Sequence, residues 1–190
     1  MSRAVLVLFF ALSSCAPWTV VPIGEEPAVP HGSDPKAYVD SIWDARLMPA
    51  VLEGSVAVDA ARSRQAAGQG GHFLVKGAGR ALDLNGESRS GKLLVDLEPA
   101  DGEADVAILI GPAILTTALR DAAGFIRFTD FANQLAFADV ANELNQRVID
   151  SVIAPLDLES LVGRRIAFHG ACSLTGPGLP EIVPVRLEAE

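Results

Sequence analysis

The chain has 190 residues, 24 of them acidic against 15 basic, and a formal net charge of −9. Its few Lys and Arg are scattered rather than clustered, which excludes the basic stripe that nucleic acid needs, and the acidic balance also excludes broad adhesion to anionic lipid headgroups. The length fits a single domain burying roughly 70% of its unfolded surface, so neither disulfides nor a structural metal are required.

At the N-terminus Arg3 precedes an unbroken apolar stretch, Ala4 to Leu12, matching the charged and apolar regions of a secretory signal. So short a stretch cannot cross a bilayer, which takes about 20 residues. Ser13 and Ser14 before Cys15 resemble a bacterial lipobox, where the cysteine sulfur takes a diacylglycerol, the peptide is cut before it, and the new N-terminus is acylated, commonly with palmitate. An ordinary cleaved signal and an uncleaved anchor are the alternatives. We expect residues 1–14 to be a signal peptide and residues 15–33 a lipidated Cys15 followed by a flexible tether, rich in proline from Pro17 onward. The protein is then expected on the periplasmic side of a bacterial envelope, attached to the membrane through acyl chains on Cys15. Ala16 rather than Asp after the cysteine favours the outer membrane in a Gram-negative cell. With Cys15 lipidated, Cys172 has no partner and reads as a buried, inert thiol.

A single globular domain is expected over 34–190, its helical part at 34–67. Ser33 or Asp34 caps a first helix, with Pro35 at its first position and Pro49 ending it; Tyr38, Val39, Ile42, Trp43 and Leu47 form its apolar face. A second helix is expected from about Ala50 to Ala67. From residue 71 the period turns extended. Phe73 to Leu84 reads as a strand bent or bulged around Gly77 and Gly79, followed by an Asn85-Gly86 turn. Lys92 to Leu97 and Ala104 to Ile110 flank Asp101-Gly102 as a hairpin. Phe131, Leu135, Ala138, Ala141, Leu144, Val148 and Val152 predict a long amphipathic helix beginning at Thr129 or Asp130. A turn at Leu158 to Val162, closed by Gly163, precedes strands at Arg165 to Ser173 and Glu181 to Leu187. This order predicts an α+β fold, a small five-stranded barrel of the oligonucleotide/oligosaccharide-binding (OB) type. It has one or two N-terminal helices and a long helix between strands three and four. A generic α+β sandwich is the alternative.

The segments Gly111-Pro112-Ala113-Ile114, Thr117-Ala118-Leu119-Arg120-Asp121 and Phe125 through Gln134, with Ala141-Asn142-Glu143-Leu144-Asn145 and Asp34 to Val39, carry a resemblance. They are similar to the domain-of-unknown-function 2291 family of predicted periplasmic lipoproteins, over nearly the whole mature chain. One departure is Leu115-Thr116, where an Arg-Gly pair is expected after Ile114. Members often appear beside sugar-type ABC importers, so the resemblance implies an accessory role in solute uptake. The expected partners are an ABC importer component or a small polar solute.

Several motifs yield no chemistry. Ser33-Asp34-Pro35-Lys36 fits S-x-x-K, but the companion motifs of serine enzymes are absent and a capped helix explains it. His31, His72 and His169 stand too far apart for zinc. Asp96, Asp101, Glu103 and Asp105 lack calcium-loop spacing and read as a solvated hairpin turn. No catalytic residue, metal or cofactor is implied. Arg120, Asp121, Asp130, Asn133 and Gln134 form the one candidate polar cluster, with Phe125, Phe128 and Phe131 as apolar walls. They either bind a small polar ligand or satisfy buried backbone groups of an irregular segment. The expectation is a non-enzymatic binding or accessory protein. Its rivals are an envelope glycan-acting enzyme using Asp121 and Asp130, and a purely structural spacer.

Overall fold

A computed structural model describes residues 34–86, 89–176 and 178–190. The expected signal peptide, Cys15, the expected tether with His31, and Ser33 lie outside the described residues. Among the described residues no helix is long and apolar enough to cross a membrane.

The chain opens with α1 (Pro35–Ile42), capped by Asp34, whose Oδ1 accepts the Lys36 and Ala37 backbone N–H groups at 3.0 and 3.2 Å. Lys36, the lysine of the S-x-x-K match, donates instead to Asp40 at 2.8 Å. Pro49 does not stop this helix. A π-helical turn (Trp43–Leu47) widens the backbone just before it, and Pro49 falls in the first turn of α2 (Met48–Gly54), where a missing N–H costs little. The single helix expected from Ala50 to Ala67 is instead broken. Ser55 turns back on the Val51 carbonyl, β1 (Val56–Ala57) pairs parallel to the next strand, and α3 (Val58–Ala66) starts afresh.

Five strands close the ring: β2 (His72–Asn85), β3 (Lys92–Leu97), β4 (Val106–Leu109), β5 (Arg165–Ser173) and β6 (Glu181–Ala189). Their order is β2-β3-β4-β6-β5, and β5 returns to β2. β4 and β6 run parallel while the other ring pairings are antiparallel. The hinge of the ring is β2, which pairs with β5 over His72 to Arg80 and with β3 over Gly79 to Asn85, with a register shift between Ala81 and Asp83. Gly79 belongs to both pairings. A Cβ there would lie 2.0 Å from the Asp96 carbonyl oxygen, so only glycine lets the strands meet. Asn85 still pairs with Lys92, so the expected Asn85-Gly86 tight turn gives way to a longer connection.

Between β4 and β5 lie α4 (Ala118–Ala122), a 3-10 turn (Phe128–Asp130), α5 (Gln134–Val148) and a π-helical turn (Ile149–Ile153). The long helix starts later than its periodicity predicts, because the Asn133 side chain accepts the Ala136 N–H at 2.9 Å and fixes the cap. That shift turns Leu135 outward, 70% exposed, and leaves Val140, Ala141, Leu144 and Val148 facing the core. The core is continuous from Trp43 and Leu47 of the helical part to Val75, Leu93, Ile108, Ile166, Phe168 and Ile182 of the ring. Cys172 is fully buried within it.

Candidate functional site

The five polar residues expected to cluster divide into two structural groups. Arg120, only 9% exposed, donates from Nε to Asp121 Oδ1 at 2.8 Å and from Nη1 to the Phe137 carbonyl at 3.0 Å. Its guanidinium carbon also lies 3.8 Å from the centre of the Phe137 ring. Asp121 accepts a second bond from Thr117 Oγ1 at 2.6 Å, and His72 Nε2 approaches its other side at 3.9 Å. Burial pulls the Asp121 carboxyl upward, and the bonds from Arg120 and Thr117 outweigh it, so it titrates below the usual carboxylate range. Asp130 and Asn133 are caps: Asp130 accepts the Arg127 N–H at 3.2 Å, and Asn133 starts α5. Gln134 is exposed at the first position of that helix.

The phenylalanines serve packing more than ligand walls. Phe131 is buried, edge-on to Tyr38 at 5.1 Å and tilted against Phe137 at 5.6 Å, so α1 and α5 share one aromatic cluster. Phe125 carries the Arg46 guanidinium at 4.2 Å. Phe128, 54% exposed, meets Phe137 edge-on. The acidic hairpin turn is exposed at Asp101, Gly102 and Glu103, as expected, and one of its acids, Asp96, is instead buried beneath it. Asp96 accepts the Asp101 and Gly102 N–H groups at 3.2 and 2.8 Å and so ties the exposed turn to the end of β3. Among the described residues no His, Cys, Asp and Glu group is arranged to hold a metal ion.

A concave site lies elsewhere, at the mouth of the ring where the β5–β6 loop meets α3. It is a cavity of about 460 Å³ whose polar wall is made by Arg62, Gln65, Thr116, Ser173, Thr175 and Glu181. Arg62 and Gln65 stand one turn apart on α3, and Arg62 is steadied by the Asp105 carbonyl at 2.9 Å and by Asp59 at 3.4 Å. Ser173 and Thr175 leave the end of β5 with their hydroxyl oxygens 3.0 Å apart. The loop base is pinned where the Leu174 N–H donates to the Gly71 carbonyl at 2.7 Å. Glu181 opens β6 and takes Lys92 at 2.5 Å. Thr116 is held from behind by Asn145, a 4% exposed residue whose Nδ2 donates to the Ile114 and Thr116 carbonyls at 3.0 and 2.8 Å.

Sequence reasoning passed over this cavity, because its walls come from three distant segments, none bearing a catalytic motif. Two local signals were present. Ser173 to Gly178 is a polar, glycine-bearing loop between two strands, the kind of segment that carries binding sites on rigid scaffolds. Asn145 interrupts the apolar face of α5 and so needed buried partners. Leu115, at the departure from the expected Arg-Gly pair, is 82% exposed beside Thr116, so any role for an arginine there is missing from this chain.

The fold has a counterpart of known structure. A crystal structure of an OB-fold protein from Thermotoga maritima matches with a TM-score of 0.65 and 21% identity, covering 84% of this chain and all of that one. This agrees with the ring order β2-β3-β4-β6-β5 and its parallel β4–β6 pair, a mixed α+β ring rather than an even barrel. No curated protein matches the sequence. The segments at Asp34, Arg120, Asn133 and Asn145 now have structural work as caps and clamps, and the family model described as "Predicted periplasmic lipoprotein (DUF2291)" spans them all, matching residues 5–188. The chain therefore belongs to this family of predicted periplasmic lipoproteins.

Proposed function

We propose that the protein is a lipid-anchored, non-catalytic binding component of the cell envelope, acting beside a solute importer of the ABC type. The mature chain begins at Cys15 after removal of a signal peptide, acyl chains on that cysteine hold it to the membrane, and Ala16 sends it to the outer membrane in a Gram-negative host. The observation that carries the binding role is the cavity at the ring mouth, with polar side chains converging from α3, the Thr116 segment and the β5–β6 loop. Catalysis on envelope glycans draws no support from the nominated acids. Asp121 is engaged by Arg120 and Thr117, and Asp130 by the Arg127 N–H, whereas a glycosidase needs two carboxylates converging on a cleft.

The reading is tested in the host organism. Deletion is expected to lower uptake of at least one solute, and affinity capture of the tagged protein from solubilised membranes is expected to retain an importer component. Unchanged uptake of every solute tried, together with capture of no membrane partner, would overturn it.

A further inference from the structure

We infer that the cavity between α3, the Thr116 segment and the β5–β6 loop takes a neutral, polyhydroxylated solute, a monosaccharide or an acyclic polyol. The inference deepens the binding role proposed above and rests on it. A volume of about 460 Å³ is that of a small-molecule site. The chemistry of the wall selects the class. The hydroxyls of Thr116, Ser173 and Thr175 and the amide of Gln65 each donate and accept, as a ligand hydroxyl does. Ser173 and Thr175 form one mutual hydrogen bond, which uses one of their two protons and leaves the other, with lone pairs on both oxygens, for a ligand.

The two ionised residues of the wall each already have a partner of opposite charge. Glu181 holds the Lys92 ammonium at 2.5 Å, and Arg62 has Asp59 at 3.4 Å. An anionic ligand therefore has to compete with Asp59 for the guanidinium, and a cationic ligand with Lys92 for the carboxylate. Both remain useful to hydroxyl groups. The guanidinium fork has five N–H donors, of which Asp59 and the Asp105 carbonyl engage two, and Lys92 occupies one Glu181 oxygen of two. Charged groups that are paired in place and still offer hydrogen bonds discriminate for hydroxyls and against net charge.

The test is a titration of the full-length lipoprotein in detergent, followed by calorimetry and by melting temperature. The probes are neutral pentoses, hexoses, pentitols and hexitols, set against uronic acids, sugar phosphates and amino acids. At least one neutral member is expected to bind saturably, with less than about a twofold change in affinity between low and high salt. Ser173→Ala combined with Thr175→Val is expected to weaken that binding about tenfold. If this double variant melts early, Gln65→Ala on the exposed face of α3 serves instead, with about a threefold loss. Binding confined to the charged probes or amino acids, no binding by any neutral probe, or wild-type affinity in the variants would each overturn the inference. Capture of an importer component without polyol binding defeats this inference and leaves the function reading standing; polyol binding with unaltered uptake of every solute and no captured membrane partner does the reverse.

Discussion

Arg120 shows how a residue chosen for its binding chemistry becomes a structural one. Its three contacts, to Asp121, to the Phe137 carbonyl and over the Phe137 ring, join α4 to α5 in a partly dry setting. Removing one partner of such a pair leaves the other desolvated and uncompensated, so Arg120→Ala is expected to lower the unfolding free energy by about 3 kcal/mol in denaturant titrations. The pH dependence carries the same signature. Because the folded Asp121 carboxyl titrates below its unfolded value, its contribution is fully present above about pH 4 and lost as pH falls through the folded value. Stability curves of wild type and Arg120→Ala are therefore expected to converge as acid protonates Asp121. Cys172 makes the opposite case: burial pushes its thiol up to about 11, so it is expected to resist alkylation at neutral pH until the protein unfolds. Mass spectrometry after iodoacetamide treatment, with and without denaturant, reads this directly.

At the level of elements, the strands and the buried helix faces were legible and the helix boundaries were not. β3 and β5 have the bounds their alternation predicts, since a period of two with clear turn residues fixes both ends. Helix boundaries turned on single polar contacts. Asn133 reset the start of α5 and pushed Leu135 outward; a π-helical turn carried the first helix through Pro49, and no periodicity announces either event. Consequently Leu135→Ser, at a position the spacing alone assigns to the core, is expected to leave stability within about 0.5 kcal/mol of wild type. Gly79→Ala is expected to cost about 3 kcal/mol or more, because its Cβ would collide with the Asp96 carbonyl where β2 passes from one pairing to the other. Thermal melts of the two variants measure this contrast between a surface that looks like core and a strand position that admits no side chain.

Across the whole molecule, the sequence pattern revealed the ring and the address more readily than the site. Bent β2, the hairpin and the long helix before the last two strands were enough to indicate an OB-type α+β fold, because that succession of elements is the one such a ring uses, its last strand entering between β4 and β5. The cavity was hidden for the opposite reason: Arg62, Thr116 and Ser173 meet only through the closure of that ring. Membership in a family of predicted periplasmic lipoproteins places such a cavity in the envelope, and attachment through Cys15 is the premise on which the proposed role depends. Growth with a clickable palmitate analogue, followed by immunoprecipitation, tests it most directly. The full chain is expected to carry the label and to sediment with membranes, while Cys15→Ala is expected to carry none. Equal labelling of the two proteins would contradict the account.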